Sequence, residues 1–150
     1  MVERISVRSI RAREAQPLRA AILRPGQTSE QQVYPNDEAP GSFHAGVYLD
    51  GKLVGIASVF HESPPGEDDE DAWRLRGMAV HAEARRQGIG RLLLERCLEY
   101  IQAQGGERLW CNGRVTALAF YHNLGFKERG QIFDVPESGP HYQMERPIRF

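Results

Sequence analysis

Two glycines and three arginines in the middle of the sequence could together form an anion site. Gly88 and Gly90 follow an apolar segment that ends at Val80, and they precede apolar residues at helical spacing. Glycine lets a ligand approach the backbone, and the first N–H groups of a helix lack an intrahelical acceptor. The helix dipole adds partial positive charge there. The predicted anion-binding set is Arg85, Arg86, Gln87, Gly88, Ile89, Gly90 and Arg91.

The spacing of this segment differs from that of the two common nucleotide-binding motifs. A nucleoside-triphosphatase loop requires Gly-x-x-x-x-Gly-Lys-Ser/Thr, which this chain lacks. A dinucleotide-binding turn requires a third glycine three residues after Gly90, where Leu93 stands. Taken alone, Gly-x-Gly at a helix start is equally compatible with a surface turn flanked by arginines.

Residue periodicity predicts the elements that would position this segment. The order is β-α-β-β-β-α-β-α-β-β, and the pair of strands at 73–111 should be joined by a right-handed parallel crossover. Asp50-Gly51 is typical of a tight hairpin. The stretches 24–41 and 62–71 are predicted loops. Strands are predicted at 4–10, 43–49, 53–60, 73–80, 109–111, 126–133 and 141–149, and helices at 13–23, 88–104 and 115–123.

Composition excludes several classes of function. The chain has 150 residues with 19 basic and 20 acidic side chains, so its net charge of -1 argues against a nucleic-acid partner. No apolar run approaches the ~20 residues of a membrane span, and the N-terminus lacks the apolar region of a signal peptide. Cys97 and Cys111 have neither disulfide nor zinc spacing. We therefore expect buried thiols, no metal and a reducing cytoplasm.

Two segments together resemble the GNAT superfamily of acetyl-CoA-dependent N-acetyltransferases. The stretch 75–94 is similar to motif A of that family, Arg/Gln-x-x-Gly-x-Gly/Ala after a strand and a short loop, with Arg85, Gly88 and Gly90 in its positions. The stretch 117–126 is similar to the family's Ala-x-x-Phe-Tyr-x-x-x-Gly-Phe signature. The resemblance implies one α/β (α+β) domain over residues 1–150, with a GNAT-like acyl-CoA N-acyltransferase fold, a mixed central sheet and helices on both faces.

Shorter segments resemble the ElaA-type branch of that family. They lie at 23–26, 34–37, 110–114 and 139–144. One position departs from the family pattern, because many members carry Asn seven residues before the signature tyrosine, where Arg114 stands here. Asn112 lies two residues earlier, so the sequence leaves open which of the two replaces the usual Asn.

The resemblance also implies a mechanism in which an amine attacks the thioester of acetyl-CoA within a ternary complex. Backbone N–H groups of Met78, Ala79 and Val80 would hold the pantetheine arm and polarise the thioester carbonyl. The family has a bulge in this strand, with which Gly77 is compatible. Tyr121 would protonate the leaving thiolate, although without the motif it reads as an aromatic residue packed on the sheet.

The general base and the acceptor contacts stay open at this stage. His141, His44, His61 and Glu62 are the candidate bases, and His141 is placed first because it begins a late strand after Gly139-Pro140. Asn112 is a candidate substrate contact or a turn residue. The loop at 24–41 should shape the acceptor pocket. The acidic run at 67–71 would either attract a cationic amine or form a mobile loop.

We therefore expect acetyl-CoA as co-substrate and a small-molecule or protein amine as acceptor, with neither nucleic acid nor membrane as a partner. A homodimer is a further expectation. Three alternatives remain: an acyl-CoA-binding module without catalysis, a phosphate- or nucleotide-binding domain of another class, and a structural partner protein. Tyr121 argues against the first, because a module that only binds needs no acid there.

Overall fold

A seven-stranded mixed sheet organises residues 4–149, which the computed structural model describes. The first three residues, on which the expectation of no signal peptide partly rests, lie outside that range. The sheet order is β1-β2-β3-β4-β5-β7-β6, so the last strand inserts between its two predecessors. The strands are β1 (Ile5–Ser9), β2 (Phe43–Leu49), β3 (Lys52–Phe60), β4 (Ala72–Val80), β5 (Arg108–Arg114), β6 (Lys127–Val135) and β7 (Gly139–Pro147).

Within residues 4–149, three α-helices accompany the sheet: α1 (Ala12–Leu18), α2 (Ile89–Ala103) and α3 (Leu118–Asn123). Leu93 and Cys97 of α2 pack in one core cluster with β2 residues such as Val47. Ala15 of α1 packs in a second cluster with Ile56. These two clusters confirm the prediction of helices on both faces. No helix within residues 4–149 is long and apolar enough to cross a membrane.

The predicted hairpin between β2 and β3 is confirmed. Asp50 has φ 50° and Gly51 has φ 84°. Positive φ at both central residues defines the turn whose twist matches that of the flanking strands. The sequence signal worked here because Asp-Gly tolerates this conformation at both positions.

The element order is confirmed, with three adjustments of the predicted boundaries. The predicted helix at 13–23 changes after Leu18 into a wider π-helical turn, Arg19–Leu23, and the predicted helix at 115–123 begins as a 3₁₀ turn over Val115–Ala117. The short strand predicted at 109–111 extends over Arg108–Arg114 because β7 pairs with its whole length. β4 and β5 are parallel, as predicted; the handedness of their crossover stays a prediction.

The acidic run at 67–71 lies in the predicted loop, and carboxylates of this run bind arginines of the sheet. Glu67 accepts hydrogen bonds from Arg108 at 2.8 Å and from Arg129 at 3.1 Å. Asp69 accepts one from Arg108 at 3.2 Å. The backbone N–H of Asp71, and then Arg108, lower the pKa of the Asp69 carboxyl. These carboxylates are thus bound by arginines of β5 and β6 and stand apart from the cleft described below.

Candidate active site between strands β4 and β5

A cleft lies where β4 and β5 separate. The two strands pair only at Ala72↔Arg108, Trp73↔Leu109 and Arg74↔Trp110. Beyond Arg74 the β5-facing edge of β4 has no strand partner, so its backbone groups are available to a ligand. A cleft of about 900 Å³ opens at this point. It runs along residues 74–80 to the start of α2.

A bulge in β4 shapes the wall of this cleft. Arg76 lies opposite Ser58 and Ala79 lies opposite Ile56, so β4 carries one residue more than β3 between these pairs. Gly77 occupies the bulge with φ 63°. A Cβ atom at this glycine would lie 2.9 Å from a ring carbon of Tyr34. Both the conformation and the close approach require glycine, and the bulge that the resemblance implied is present.

Free backbone donors gather at the N-terminus of α2. Gly88 caps the helix with φ 75°, and Arg86 before it also has positive φ, 66°. No backbone or side-chain acceptor within the described chain receives the N–H groups of residues 86–91. A Cβ atom at Gly90 would lie 3.0 Å from the ring of Phe120, so this glycine lets α3 approach α2. The segment is thus a concave row of donors at a positive helix end, which suits a phosphate group.

The three cations of this segment border the same cleft. Arg85 donates to the carbonyl oxygen of Val80 at 3.2 Å, and Arg91 donates to that of Asn123 at 3.4 Å. Gln87 is the member of the predicted set that does not line the cleft, since its amide turns back to Glu83. The other lining members of the predicted site are Met78, Ala79, Val80, Arg86, Gly88, Ile89, Gly90, Asn112, Tyr121 and His141.

Tyr121 of α3 reaches the cleft from the side of α2. Its ring makes edge contacts with Phe120 and Phe126, with centroids 5.3 Å and 5.7 Å away. Gly113 of β5 admits the ring, because a Cβ atom there would lie 2.9 Å from it. Burial, and then the neighbouring Cys111, raise the pKa of Tyr121 above its usual value. The phenol therefore stays protonated and able to donate throughout the physiological pH range.

The four candidate bases fall in different places, and only His141 lines the cleft. Its Nδ1 donates to the carbonyl oxygen of Gly139 at 2.8 Å, which leaves Nε2 as the acceptor nitrogen of the neutral ring. His44 is buried between Ser58 and Asp37. His61 stacks on Trp73, with ring centroids 5.0 Å apart. The fourth candidate, Glu62, is paired with Arg74 at 2.9 Å.

Asn112 and Arg114 both border the cleft from β5. Arg114 donates to Ser138 at 3.1 Å and to the carbonyl oxygen of Leu23 at 2.9 Å. It thereby ties β5 to the β6–β7 turn and to the segment after α1. The side chain of Asn112 makes no hydrogen bond with the described residues, so it is available to a ligand.

A buried polar network beneath the cleft was not predicted from the sequence. The Arg19 guanidinium is fully buried and donates to both carboxylate oxygens of Asp37, at 2.8 Å and 3.0 Å, and to Ser58 at 3.0 Å. Its carbon lies 3.8 Å from the ring centroid of Tyr34, which lines the cleft. The signal that could have indicated it is a charged residue placed among Leu18, Ala20 and Ala21 on an otherwise apolar stretch.

Comparison with known proteins decides the family. The model of the "Acetyltransferase (GNAT) family" matches residues 7–126. The chain belongs to the GNAT family of acetyltransferases. A relative, "Uncharacterized N-acetyltransferase YitI" of Bacillus subtilis, is 39% identical over 145 residues, which are 97% of each chain. The protein is thus an acyltransferase, and as a GNAT enzyme it is expected to use acyl-CoA with an amine acceptor.

Solved GNAT structures share the fold. ElaA of Escherichia coli has a TM-score of 0.68 and 20% identity, over 95% of this chain and 99% of ElaA. An aminoglycoside 6'-N-acetyltransferase crystallised with coenzyme A has a TM-score of 0.70 and 13% identity, over 96% of this chain and 97% of its own. At these identities the likeness shows a common fold, and the predicted GNAT-like fold is confirmed.

Proposed function

We propose that the protein transfers an acetyl group from acetyl-CoA to a primary amine, directly and within a ternary complex. The observation that carries this proposal is one continuous cleft that joins the free N–H groups at the start of α2 to the unpaired edge of β4. The first feature suits a pyrophosphate and the second suits an extended amide-containing arm. The cofactor and the acceptor amine can therefore meet where β4 and β5 separate.

The types of residue along the cleft, and their order, fit the successive parts of coenzyme A. The N–H groups of 86–91, with Arg85, Arg86 and Arg91, would hold the pyrophosphate. The cleft-facing backbone groups of Met78, Ala79 and Val80 would hold the pantetheine arm and orient the thioester carbonyl. When bound, acetyl-CoA supplies an acetyl group already activated as a thioester. Orientation of the reacting atoms is then the main task of the protein.

Two side chains would move the protons of the reaction. The nitrogen of the acceptor amine forms a bond to the carbonyl carbon of the thioester as the carbon–sulfur bond breaks. Tyr121 donates its proton to the departing sulfur, and Nε2 of His141 accepts the proton that the amine loses. The two residues border the same cleft from α3 and β7.

The environment of both cysteines supports direct transfer over an acyl-enzyme route. Burial raises the pKa of the Cys97 and Cys111 thiols to about 12. A thiol attacks as its thiolate, which is scarce at neutral pH under these conditions. Neither cysteine lines the cleft. Steady-state kinetics should therefore show intersecting lines rather than the parallel lines of a ping-pong mechanism.

We further propose that the protein acts in the cytoplasm and as a homodimer, without a metal or a nucleic-acid partner. The two reduced, buried cysteines and the net charge of -1 support the compartment and the absence of a polyanionic partner.

Calorimetric titration tests the assignment of the cofactor. Wild type should bind acetyl-CoA and CoA and should not bind ATP or NAD. Gly88→Ala places a methyl group in open space at the row of donors, and we expect it to weaken CoA binding roughly 10- to 100-fold. Gly66→Ala is the matched control, because Gly66 also has positive φ and an open surrounding but lies outside the cleft.

Loss of CoA affinity in Gly88→Ala alone would support the proposal. Equal affinity in wild type and Gly88→Ala, or equal binding of ATP and acetyl-CoA, would contradict it. If both glycine variants lose affinity together, backbone strain explains the result and the proposed pyrophosphate position is wrong.

A further inference from the structure

The cleft carries more positive charge than coenzyme A requires. Arg85, Arg86 and Arg91 account for its phosphate end. Four further arginines line the remaining wall, and no Asp or Glu of residues 4–149 is among the lining residues. These four, which we call the acceptor arginines, are Arg24, Arg74, Arg76 and Arg114.

Two of the acceptor arginines stand on one face of β4. Arg74 and Arg76 are separated by Leu75, which is buried in the core cluster beneath α2. Because side chains alternate along a strand, both arginines point to the opposite face, the face that α1 covers. The acceptor would therefore approach from the face opposite α2, whose N-terminus holds the donors for the phosphate.

Arg76 has no counterion among the residues that the structure describes. It forms neither an ion pair nor a hydrogen bond with the described residues. Its guanidinium carbon lies 4.2 Å from the ring centroid of Tyr34, and that of Arg19 lies 3.8 Å from the same centroid. Burial and then Arg74 lower the pKa of Arg76. A partly buried guanidinium held in place on an aromatic ring, with its donors unused, suits an incoming anion.

The other three acceptor arginines are positioned without being fully neutralised. Arg24 and Arg114 both donate to the carbonyl oxygen of Leu23, at 3.1 Å and 2.9 Å. Arg74 pairs with Glu62, yet its Nε is buried without a hydrogen-bond partner. Within the described residues, Arg74 is thus the one acceptor arginine that forms an ion pair.

From this excess of charge we propose that the acetyl acceptor is a small amine that carries a carboxylate near its amino group, as an amino acid does. This inference rests on the proposed function. The carboxylate would bind between Arg76 and the neighbouring acceptor arginines, and its amino group would face the thioester. A polycationic amine would meet like charges on every side, which disfavours its binding.

The same positive field would assist the chemistry. A like charge disfavours the ammonium form of the acceptor, so it lowers the pKa of the bound amine. The amine must lose its proton before it attacks, and the acceptor arginines therefore help to produce the reactive form. The bond changes are those of the proposed transfer.

The test compares amines that differ only in the carboxylate. Initial rates of CoA thiol release would be measured for a set of free amino acids, for their carboxamides and for putrescine. The carboxamides hold more free amine at neutral pH, which biases the comparison against the proposal. We expect kcat/KM for the preferred amino acid to exceed that for its carboxamide roughly 10- to 100-fold, the range of a charge-assisted hydrogen bond. The set also includes a peptide amide with an N-terminal Glu, whose carboxylate lies on the side chain. It distinguishes recognition of a side-chain carboxylate from recognition of the carboxylate of a free amino acid.

Variants assign the preference to the acceptor arginines. Arg76→Gln should reduce the ratio of the two kcat/KM values roughly tenfold, whereas Arg76→Lys should retain much of it. Arg13→Gln is the control, because Arg13 is exposed and lies outside the cleft. The ratio is measured within one preparation, so partial unfolding of a variant leaves it unchanged.

The outcomes separate this inference from the proposed function. Faster transfer to carboxamides or putrescine than to amino acids would overturn the inference and leave the acetyltransferase intact. A preference that survives unchanged in Arg76→Gln would overturn the assigned site. Absence of transfer to every amine, with no CoA binding by calorimetry, would overturn the proposed function and this inference together.

Discussion

At the scale of single residues, Tyr121 carries the clearest prediction about catalysis. Tyr121→Phe removes the proposed acid and keeps the packing against Phe120 and Phe126. We expect kcat to fall roughly 100-fold, because general acid catalysis contributes on that order. The Kd for CoA should stay unchanged, since the ring still fills the same space.

Tyr48→Phe provides the control for the loss of a phenol. Tyr48 lies on β2, outside the cleft, and its hydroxyl group contacts Glu14 at 3.4 Å. Its kcat should equal that of wild type. Full activity in Tyr121→Phe would show that another group, or water, protonates the sulfur.

The two cysteines allow a prediction about pH and reactivity. Their folded pKa of about 12 lies above the ordinary value of 9.0, so the native thiols should resist iodoacetamide at pH 8, as judged by intact mass. Both should react in 8 M urea, ~8 M being a fully denaturing concentration. Their contribution to the free energy of unfolding is complete below pH 9 and is lost as pH rises toward 12. Rapid labelling of the folded protein would contradict this picture.

At the scale of elements, the Arg19–Asp37 pair fixes the segment between α1 and β2. Asp37 also accepts the backbone N–H of Tyr34 at 2.9 Å, so one carboxylate holds both the buried guanidinium and the turn that carries Tyr34. Asp37→Ala would leave the charge of Arg19 buried and unpaired. We expect the free energy of unfolding to fall by about 3–5 kcal/mol, measured by urea titration.

Glu14→Ala is the control for that measurement. Glu14 pairs with Arg11 at 3.9 Å, and both side chains are exposed. An exposed pair contributes little, so stability should hardly change. Equal losses in the two variants would mean that the buried pair does not anchor the segment.

The elements themselves were largely predictable from sequence, and their assembly was only partly so. Alternation and turn residues predicted every strand, because these signals are local. The separation of β4 from β5 depends on pairing between distant strands and on the bulge at Gly77, which no local pattern encodes. The insertion of β7 between β5 and β6 has the same origin. The resemblance to a family implied the bulge where periodicity could not.

At the scale of the whole molecule, the candidate site combines segments that sequence motifs revealed with others that they did not. The stretches around Gly88 and Tyr121 carry recognisable signatures and lie in one cleft. The acceptor arginines carry none, since they come from three separate segments of the chain and lie together only in the folded protein. The net charge of -1 did not indicate them either, because the acidic side chains that balance these arginines do not line the cleft.

The most direct test of the central claim is amine-dependent turnover of acetyl-CoA by the purified wild-type protein. Thiol release and the mass of the amine product would be followed together across a panel of amines that includes amino acids. The account predicts one acetylated amine formed for each CoA released, with no release above background when the amine is omitted. Tight binding of acetyl-CoA without an acetylated product from any amine would contradict it and would indicate a module that binds acyl-CoA without catalysis.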